Sequence, residues 1–126
     1  MKRMIVTAVL LAALLAGCGG SSSHLYSLEK TKACLQKQPV RLGGPLDFVA
    51  STATGGALKV HTNDNFLTIV FGKDVADANN INAAYHHFAA ANVGVDDVLH
   101  QDENVVMLWH NHWSQDELDM IGGCLK

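Results

Sequence analysis

The sequence predicts a small α+β domain, in which a four-stranded and mainly antiparallel sheet of two hairpins packs against a central helix and a helix near each end. Short apolar segments separated by turn residues are typical of strands. Around them lie stretches with apolar residues at helical spacing behind capping residues. The chain has 126 residues, which suits one such domain and leaves no room for two.

The first predicted elements are a helix and an extended segment. The helix covers residues 27–37, because Ser27 is a favoured N-cap and Pro39 stands just beyond the end. A short extended segment follows at 48–51.

The first hairpin is predicted from residues 57–61 and 66–71, which a turn cluster at 62–65 separates. Residues 66–71 are almost continuously apolar, so we expect this strand to be central and covered on both faces.

The central helix is predicted over residues 74–92, with Asp74 as its cap and Asp77 in its first turn. Its apolar residues share one face at helical spacing and should belong to the core: Ala78, Ile81, Tyr85, Phe88 and Ala89.

The second hairpin is predicted from residues 95–101 and 105–110. Ser114 and Glu117 then form the pattern of a capping box, which begins a last helix that ends just before Cys124. A sheet with the helices packed on one face would bury this pattern.

Residues 1–17 have the layout of an export signal. Lys2 and Arg3 give a positive start, and small residues follow the apolar stretch 5–16. That stretch is shorter than the about 20 residues that a membrane-spanning helix needs. The sequence therefore predicts a leader that is removed.

The end of the leader, Leu15-Ala16-Gly17-Cys18, resembles the lipobox of bacterial lipoproteins. The resemblance implies cleavage by the lipoprotein signal peptidase and acylation of Cys18 with fatty acids such as palmitate. It also implies a location on the cell membrane or outer membrane, facing the periplasm or the exterior. Residues 18–26 would then be the lipidated cysteine with a Gly/Ser tether, and 27–126 the folded domain. An ordinary secretory leader with an incidental thiol is the alternative.

With Cys18 assigned to lipid, Cys34 and Cys124 remain as an even pair in an exported domain. We expect a disulfide between them, closing a loop of about ninety residues that is worth roughly 4 to 5 kcal/mol in the chain-entropy model. Two separately buried thiols are the alternative.

His110 and His112 are the strongest candidates for a metal site. If the strand continues through them, both side chains lie on one face with Cα atoms about 7 Å apart. Zinc or copper would suit such a pair. The alternative is that both histidines are surface residues, since the spacing alone is a weak signal.

The hairpin register decides whether further ligands join them. If Gln101 pairs with Val105, then His100 and Asp96 lie on the same face as His110. A slip of one residue would remove both from that face.

Trp109 and Trp113 allow two interpretations. They either pack against the sheet or form an exposed aromatic platform that binds a partner.

The function classes follow from what the sequence contains. The net charge is −3, and the leader holds two of the nine basic residues, so a nucleic-acid partner is not expected. No nucleophile motif or phosphate-binding loop is present, so catalysis has little support. The sequence favours a non-enzymatic envelope module without a cofactor, which binds an envelope protein or a small ligand. A zinc- or copper-binding envelope protein and a small envelope hydrolase remain the alternatives.

Overall fold

The described residues fold as α+β, with four helices and one antiparallel sheet of five strands. This computed structural model describes residues 24–89 and 94–126. The predicted leader, Cys18 and the tether as far as residue 23 lie outside the described residues. The predicted fold class is confirmed, but the predicted number of strands was wrong, because a two-residue strand after Pro39 adds a fifth.

The elements follow one another in the order α1, β1, α2, β2, β3, α3, a short 3₁₀ helix, β4, β5 and α4. Their bounds are Leu28–Leu35, Arg41–Leu42, Phe48–Ser51, Ala57–His61, Phe66–Phe71, Val75–Phe88, Val95–Asp97, Leu99–Asp102, Val105–Trp109 and Gln115–Gly123.

Local capping explains where the helices begin. The side chains of Ser27, Asp74 and Ser114 each accept a hydrogen bond from a backbone N–H of the first turn, and Ser114 and Glu117 form the predicted capping box. Asp47 caps α2 in the same way, so the segment predicted as extended at 48–51 is a helical turn instead.

The strand order is β1-β2-β3-β5-β4, with every neighbouring pair antiparallel. The predicted central position of β3 is confirmed, since two strands lie on each side of it. Helices pack against both faces of this sheet, so the expectation of helices on one face was wrong. The physical reason is that β3 is apolar on both of its faces.

We call the side of the sheet that carries Leu67, Ile69 and Phe71 of β3 the closed face. Helices α1 and α4 cover it, and twelve buried residues form its core: Leu35, Leu58, Val60, Leu67, Ile69, Phe71, Val105, Met107, Trp109, Ile121, Cys124 and Leu125. The predicted disulfide is present here, joining Cys34 of α1 to Cys124 across 90 residues.

We call the other side, which carries Phe66, Thr68 and Val70 of β3, the grooved face. Helices α2 and α3 pack against its Val70 end, where six residues are buried: Ala50, Val70, Ala78, Ile81, Tyr85 and Val106. The predicted core position of Phe88 was wrong, since this side chain is 66% exposed. The buried residues of α3 end at Tyr85, so its last turn lies beyond the packed part of the sheet.

The N-terminal segment is attached at the Val70 end of the sheet. The side chain of Asn104, in the turn between β4 and β5, accepts a bond from Tyr26 N–H at 2.7 Å and donates to Tyr26 O and Gly72 O at 2.9 and 2.8 Å. The chain therefore enters the domain next to the C-terminal end of β3.

Candidate functional site

An open groove of about 740 Å³ occupies the part of the grooved face that α2 and α3 leave uncovered. Its floor consists of Phe66, Thr68 and Leu108 on the adjacent strands β3 and β5. Directly opposite residues in a sheet lie on the same face, and side chains two apart do so too. The alternating pattern of the strands therefore brings this floor together.

Two phenylalanines stand at the walls of the groove with most of their surface in solvent. Phe48 of α2 is 74% exposed and Phe88 of α3 is 66% exposed. Single exposed apolar residues are common on protein surfaces, but two large ones beside one concave apolar surface are typical of a binding site.

A hydrogen-bonded pair stiffens the wall between these phenylalanines. Tyr85 Oη donates to both carboxylate oxygens of Asp47, at 2.9 Å and 3.1 Å, while Ala50 N–H also donates to Asp47 Oδ1. Burial, and next the nearby Asp47 carboxylate, raise the pKa of Tyr85 well above its ordinary value of 10.0. The phenol is therefore a neutral hydrogen-bond donor that ties α3 to the start of α2.

Basic side chains cluster at the end of the groove that contains Phe66. Across one row of the grooved face, Arg41 of β1 lies opposite His61 of β2, and His61 lies opposite Phe66 of β3. His110 stacks on the Phe66 ring at 4.3 Å between centroids. The Lys59 ammonium lies 4.8 Å from the centre of the same ring. Three basic side chains, those of Lys59, His61 and His110, therefore lie against the Phe66 ring, and Arg41 lies beyond His61 on the next strand.

These basic groups have few polar partners. Lys59 Nζ donates to Pro45 O at 3.3 Å, and His61 Nε2 lies 3.2 Å from Gly43 O. Within residues 24–89 and 94–126 the only ion pair joins His86 to Asp96. No carboxylate of these residues therefore lies within ion-pair distance of Lys59 or Arg41.

A second, polar depression of about 720 Å³ continues from the groove. Phe66 and His110 line both, and Arg41, His61, Asp64 and Asn111 are among the other residues of the depression. The apolar groove therefore opens at one end into a polar surface.

The predicted metal ligands are not brought together as expected. Strand β5 ends at Trp109, so His112 does not continue its alternation. The His110 ring packs on Phe66, whereas His112 stacks on Trp113 at 4.3 Å and its Nδ1 lies 2.8 Å from Trp113 O.

The hairpin register differs from the predicted one by one residue. Asp102 pairs with Val105, so His100 lies opposite Met107 on the closed face. Asp96 lies in the 3₁₀ helix, and its carboxylate is 2.7 Å from His86 Nε2. No group of three or more His, Cys, Asp or Glu side chains in the described part of the chain is placed to hold a metal ion.

The two tryptophans belong to the closed face. Trp109 is buried in the core at 2% exposure, and Trp113 packs beside it with 6.1 Å between ring centroids. Trp113 also contacts His100 edge to face at 5.3 Å. The indole N–H of Trp109 has no hydrogen-bond partner among the described residues.

Of the groove residues, the sequence singled out His110, as a metal ligand, and indicated no binding role for Phe48, Lys59 or Phe88. Lys59 and His61 alternate with the buried Leu58 and Val60, which in a sequence indicates only the solvent side of a strand. Phe88 is exposed because α3 no longer covers the sheet at that point. No local sequence pattern indicates where along a helix its packing against a sheet ends.

Comparison with known proteins gives no match to a family model, a curated protein or a solved structure. Of the helices in the described ranges, none combines the length and apolar character needed to cross a membrane.

Proposed function

We propose that this protein is an exported lipoprotein, held at the cell membrane or outer membrane by acyl chains on Cys18, and that it binds an apolar ligand in the groove without converting it chemically. The leader and the lipobox-like Leu15-Ala16-Gly17-Cys18 support the anchoring. Two or three acyl chains hold a protein firmly, since each buried methylene contributes about 0.8 kcal/mol.

The observation that carries the binding function is the groove flanked by Phe48 and Phe88. Small-molecule sites are concave, mostly apolar, and about 300–1,000 Å³ in volume, with a few polar groups that orient the ligand. The groove matches this description in volume, in its mostly apolar floor and in the presence of a few polar side chains, Thr68 in the floor and Lys59 and His110 at the edges. A ligand that removes exposed phenylalanine side chains from water lowers the free energy of the complex.

The chain enters the folded domain away from the basic end of the groove. Tyr26 is bonded to Asn104 beside the C-terminal end of β3, whereas Phe66 and His110 lie at the other end of the sheet. The six residues of β3 separate these ends by about 17 Å. A tether before Tyr26 would therefore join the domain at the end of the sheet opposite to Phe66.

The anchoring is tested by mass spectrometry of the mature N-terminus and by cell fractionation. We expect the wild-type protein to carry a lipid mass on Cys18 and to sediment with membranes. Cys18→Ser should lose both properties, and the matched tether variant Ser22→Ala should keep them. A mature protein with an unmodified Cys18 sulfur would refute the anchoring.

The binding is tested with dodecanol, a neutral single-chain probe, by equilibrium dialysis against the cell-processed protein on nanodiscs of uncharged lipid. Empty nanodiscs give the background. The double variant Phe48→Ala and Phe88→Ala should weaken binding by about tenfold, which corresponds to about 1.4 kcal/mol. Leu25→Ala removes an exposed apolar side chain at the far end of the sheet and should have no effect. Absence of dodecanol binding to the wild type would refute the groove as an apolar site.

A further inference from the structure

We infer that the ligand of the groove is a long-chain carboxylate, with its acyl chain along Phe66, Thr68 and Leu108 and its carboxylate at the basic end beside Arg41 and Lys59. This inference rests on the proposed function, because it assigns the chemical class of the ligand to the same groove.

The surface changes from apolar to polar along its length. The groove is apolar between the walls formed by Phe48 and Phe88, and the adjoining depression is polar. Phe66 and His110 line both. A ligand that follows this surface needs an apolar body and one polar end, which describes an amphiphile.

The polar end of this surface is rich in basic residues. The chain is acidic, with twelve acidic and nine basic residues, yet Lys59, His61 and His110 surround the Phe66 ring and Arg41 lies opposite His61 on the next strand. Arg41 and Lys59 have no ion pair among the described residues. Unpaired cations beside an apolar surface favour an anionic head group, and a guanidinium pairs with a carboxylate through two parallel hydrogen bonds.

Two carboxylates line these cavities, Asp47 in the groove and Asp64 in the depression. Asp47 accepts hydrogen bonds from Tyr85 Oη and Ala50 N–H, and Asp64 is exposed and forms no ion pair with Arg41. These two carboxylates equal Arg41 and Lys59 in number, and they repel a doubly charged head group more strongly than a singly charged one. The lining therefore suits a singly charged carboxylate better than a doubly charged phosphate.

The size of the groove suits a single chain. A volume of about 740 Å³ is enough to accommodate one hydrocarbon chain of the length found in bilayers. Each methylene that the groove removes from water tightens binding by up to about fourfold. We therefore expect affinity to rise with chain length until the groove is filled.

The test compares dodecanoate, dodecanol and dodecyl phosphate, which share one chain and differ in the head group, under the dialysis conditions described above. We expect dodecanoate to bind about 10- to 100-fold more tightly than dodecanol, since hydrogen bonds to charged groups are the stronger class. Arg41→Gln and Lys59→Gln should each weaken dodecanoate binding by about tenfold and weaken dodecanol binding by a smaller factor. Lys32→Gln, an exposed charge on α1, is the matched control and should change neither.

The outcomes separate this inference from the proposed function. If dodecanol binds and dodecanoate binds no more tightly, the carboxylate assignment is overturned and the apolar groove stands. Dodecyl phosphate binding more than tenfold more tightly than dodecanoate would also overturn it. If no probe binds, both proposals fail. Because Arg41 is exposed, Arg41→Gln should fold normally, and unchanged dodecanoate affinity in a folded Arg41→Gln protein would contradict the assigned head-group site.

Discussion

The two faces of the sheet use the same kind of apolar strand for different purposes. Two helices, a disulfide and twelve buried residues close one face. Two helices cover only the Val70 end of the other face, where six residues are buried and Phe48 and Phe88 remain in solvent. The difference teaches that a small domain can place most of its stabilising packing on one side of a sheet and leave part of the other side accessible to a ligand.

The largest expected effect on this comparison comes from removing the disulfide of the closed face. Replacing Cys34 and Cys124 together by alanine should lower the free energy of unfolding by about 4 kcal/mol, because the bridge restricts a long loop in the unfolded chain. Urea denaturation of the oxidised wild type and the double variant measures this difference. A loss below about 1 kcal/mol would show that the bridge contributes little beyond what the packed helices already provide.

The next effect contrasts one buried side chain on the closed face with one exposed side chain on the grooved face. Ile121→Ala should cost about 2–5 kcal/mol, since Ile121 is fully buried and its truncation leaves a cavity. Phe88→Ala should change stability by no more than about 0.5 kcal/mol. Urea midpoints of both variants give the comparison, and similar losses for the two would erase the proposed division between the faces.

A smaller effect is expected at the attachment of the N-terminal segment. Asn104 is 2% exposed and makes three hydrogen bonds to Tyr26 and Gly72. Asn104→Ala should destabilise the domain by about 1–3 kcal/mol, because buried backbone groups lose their partner. Asn63→Ala, in an exposed turn, serves as the control. Equal stability of the two variants would mean that water replaces the lost bonds at no cost.

The smallest effects concern pH, and the two faces respond in opposite directions. On the grooved side, the hydrogen bond to Asp96, followed by the bond to Asn82 O, raises the pKa of His86 above its ordinary 6.5. A raised pKa in the folded state means that this stabilisation is complete below about pH 6.5 and is lost as the pH rises through the folded value. His86→Gln should therefore abolish a small decline in stability above neutral pH, as urea midpoints measured across that range will test.

Glu117, in the first turn of α4 on the closed side, behaves in the reverse way. Burial alone would raise its pKa, but hydrogen bonds from Ser114 N–H and from the Thr62 hydroxyl hold the pKa below its ordinary 4.5. Its stabilisation is therefore present above about pH 4.5 and is lost as the pH falls through the folded value. Glu117→Gln should flatten the acid limb of the stability profile, and an unchanged acid limb would contradict this role.

Local patterns predicted much of the closed face and little of the grooved one. The capping box at Ser114 and the pairing of Cys34 with Cys124 follow from neighbouring residues or from counting cysteines, and both are present. The hairpin register was missed because Asn104 forms a two-residue turn with Glu103, which adopts a left-handed backbone at φ +50°. Asn104 is held there by Tyr26, 78 residues away, and no local pattern contains that contact.

The groove could not be predicted for the same reason. Its existence depends on how far α2 and α3 extend over the sheet, and α2 is a single turn that begins because Asp47 caps it. The periodicity of α3 correctly marked Ala78, Ile81 and Tyr85 as buried and wrongly included Phe88. Periodicity identifies the apolar side of a helix, whereas burial requires a partner surface at every turn.

The central claim is that the closed face folds the protein and the grooved face binds its ligand. Methyl-resolved NMR of the protein during titration with dodecanoate tests this most directly. We predict that the methyl signals of Val49, Thr68 and Leu108 shift with the ligand, while those of Leu58, Ile69 and Ile121 stay in place. Shifts of equal size on both faces, or unchanged signals in the groove at saturating dodecanoate, would contradict it.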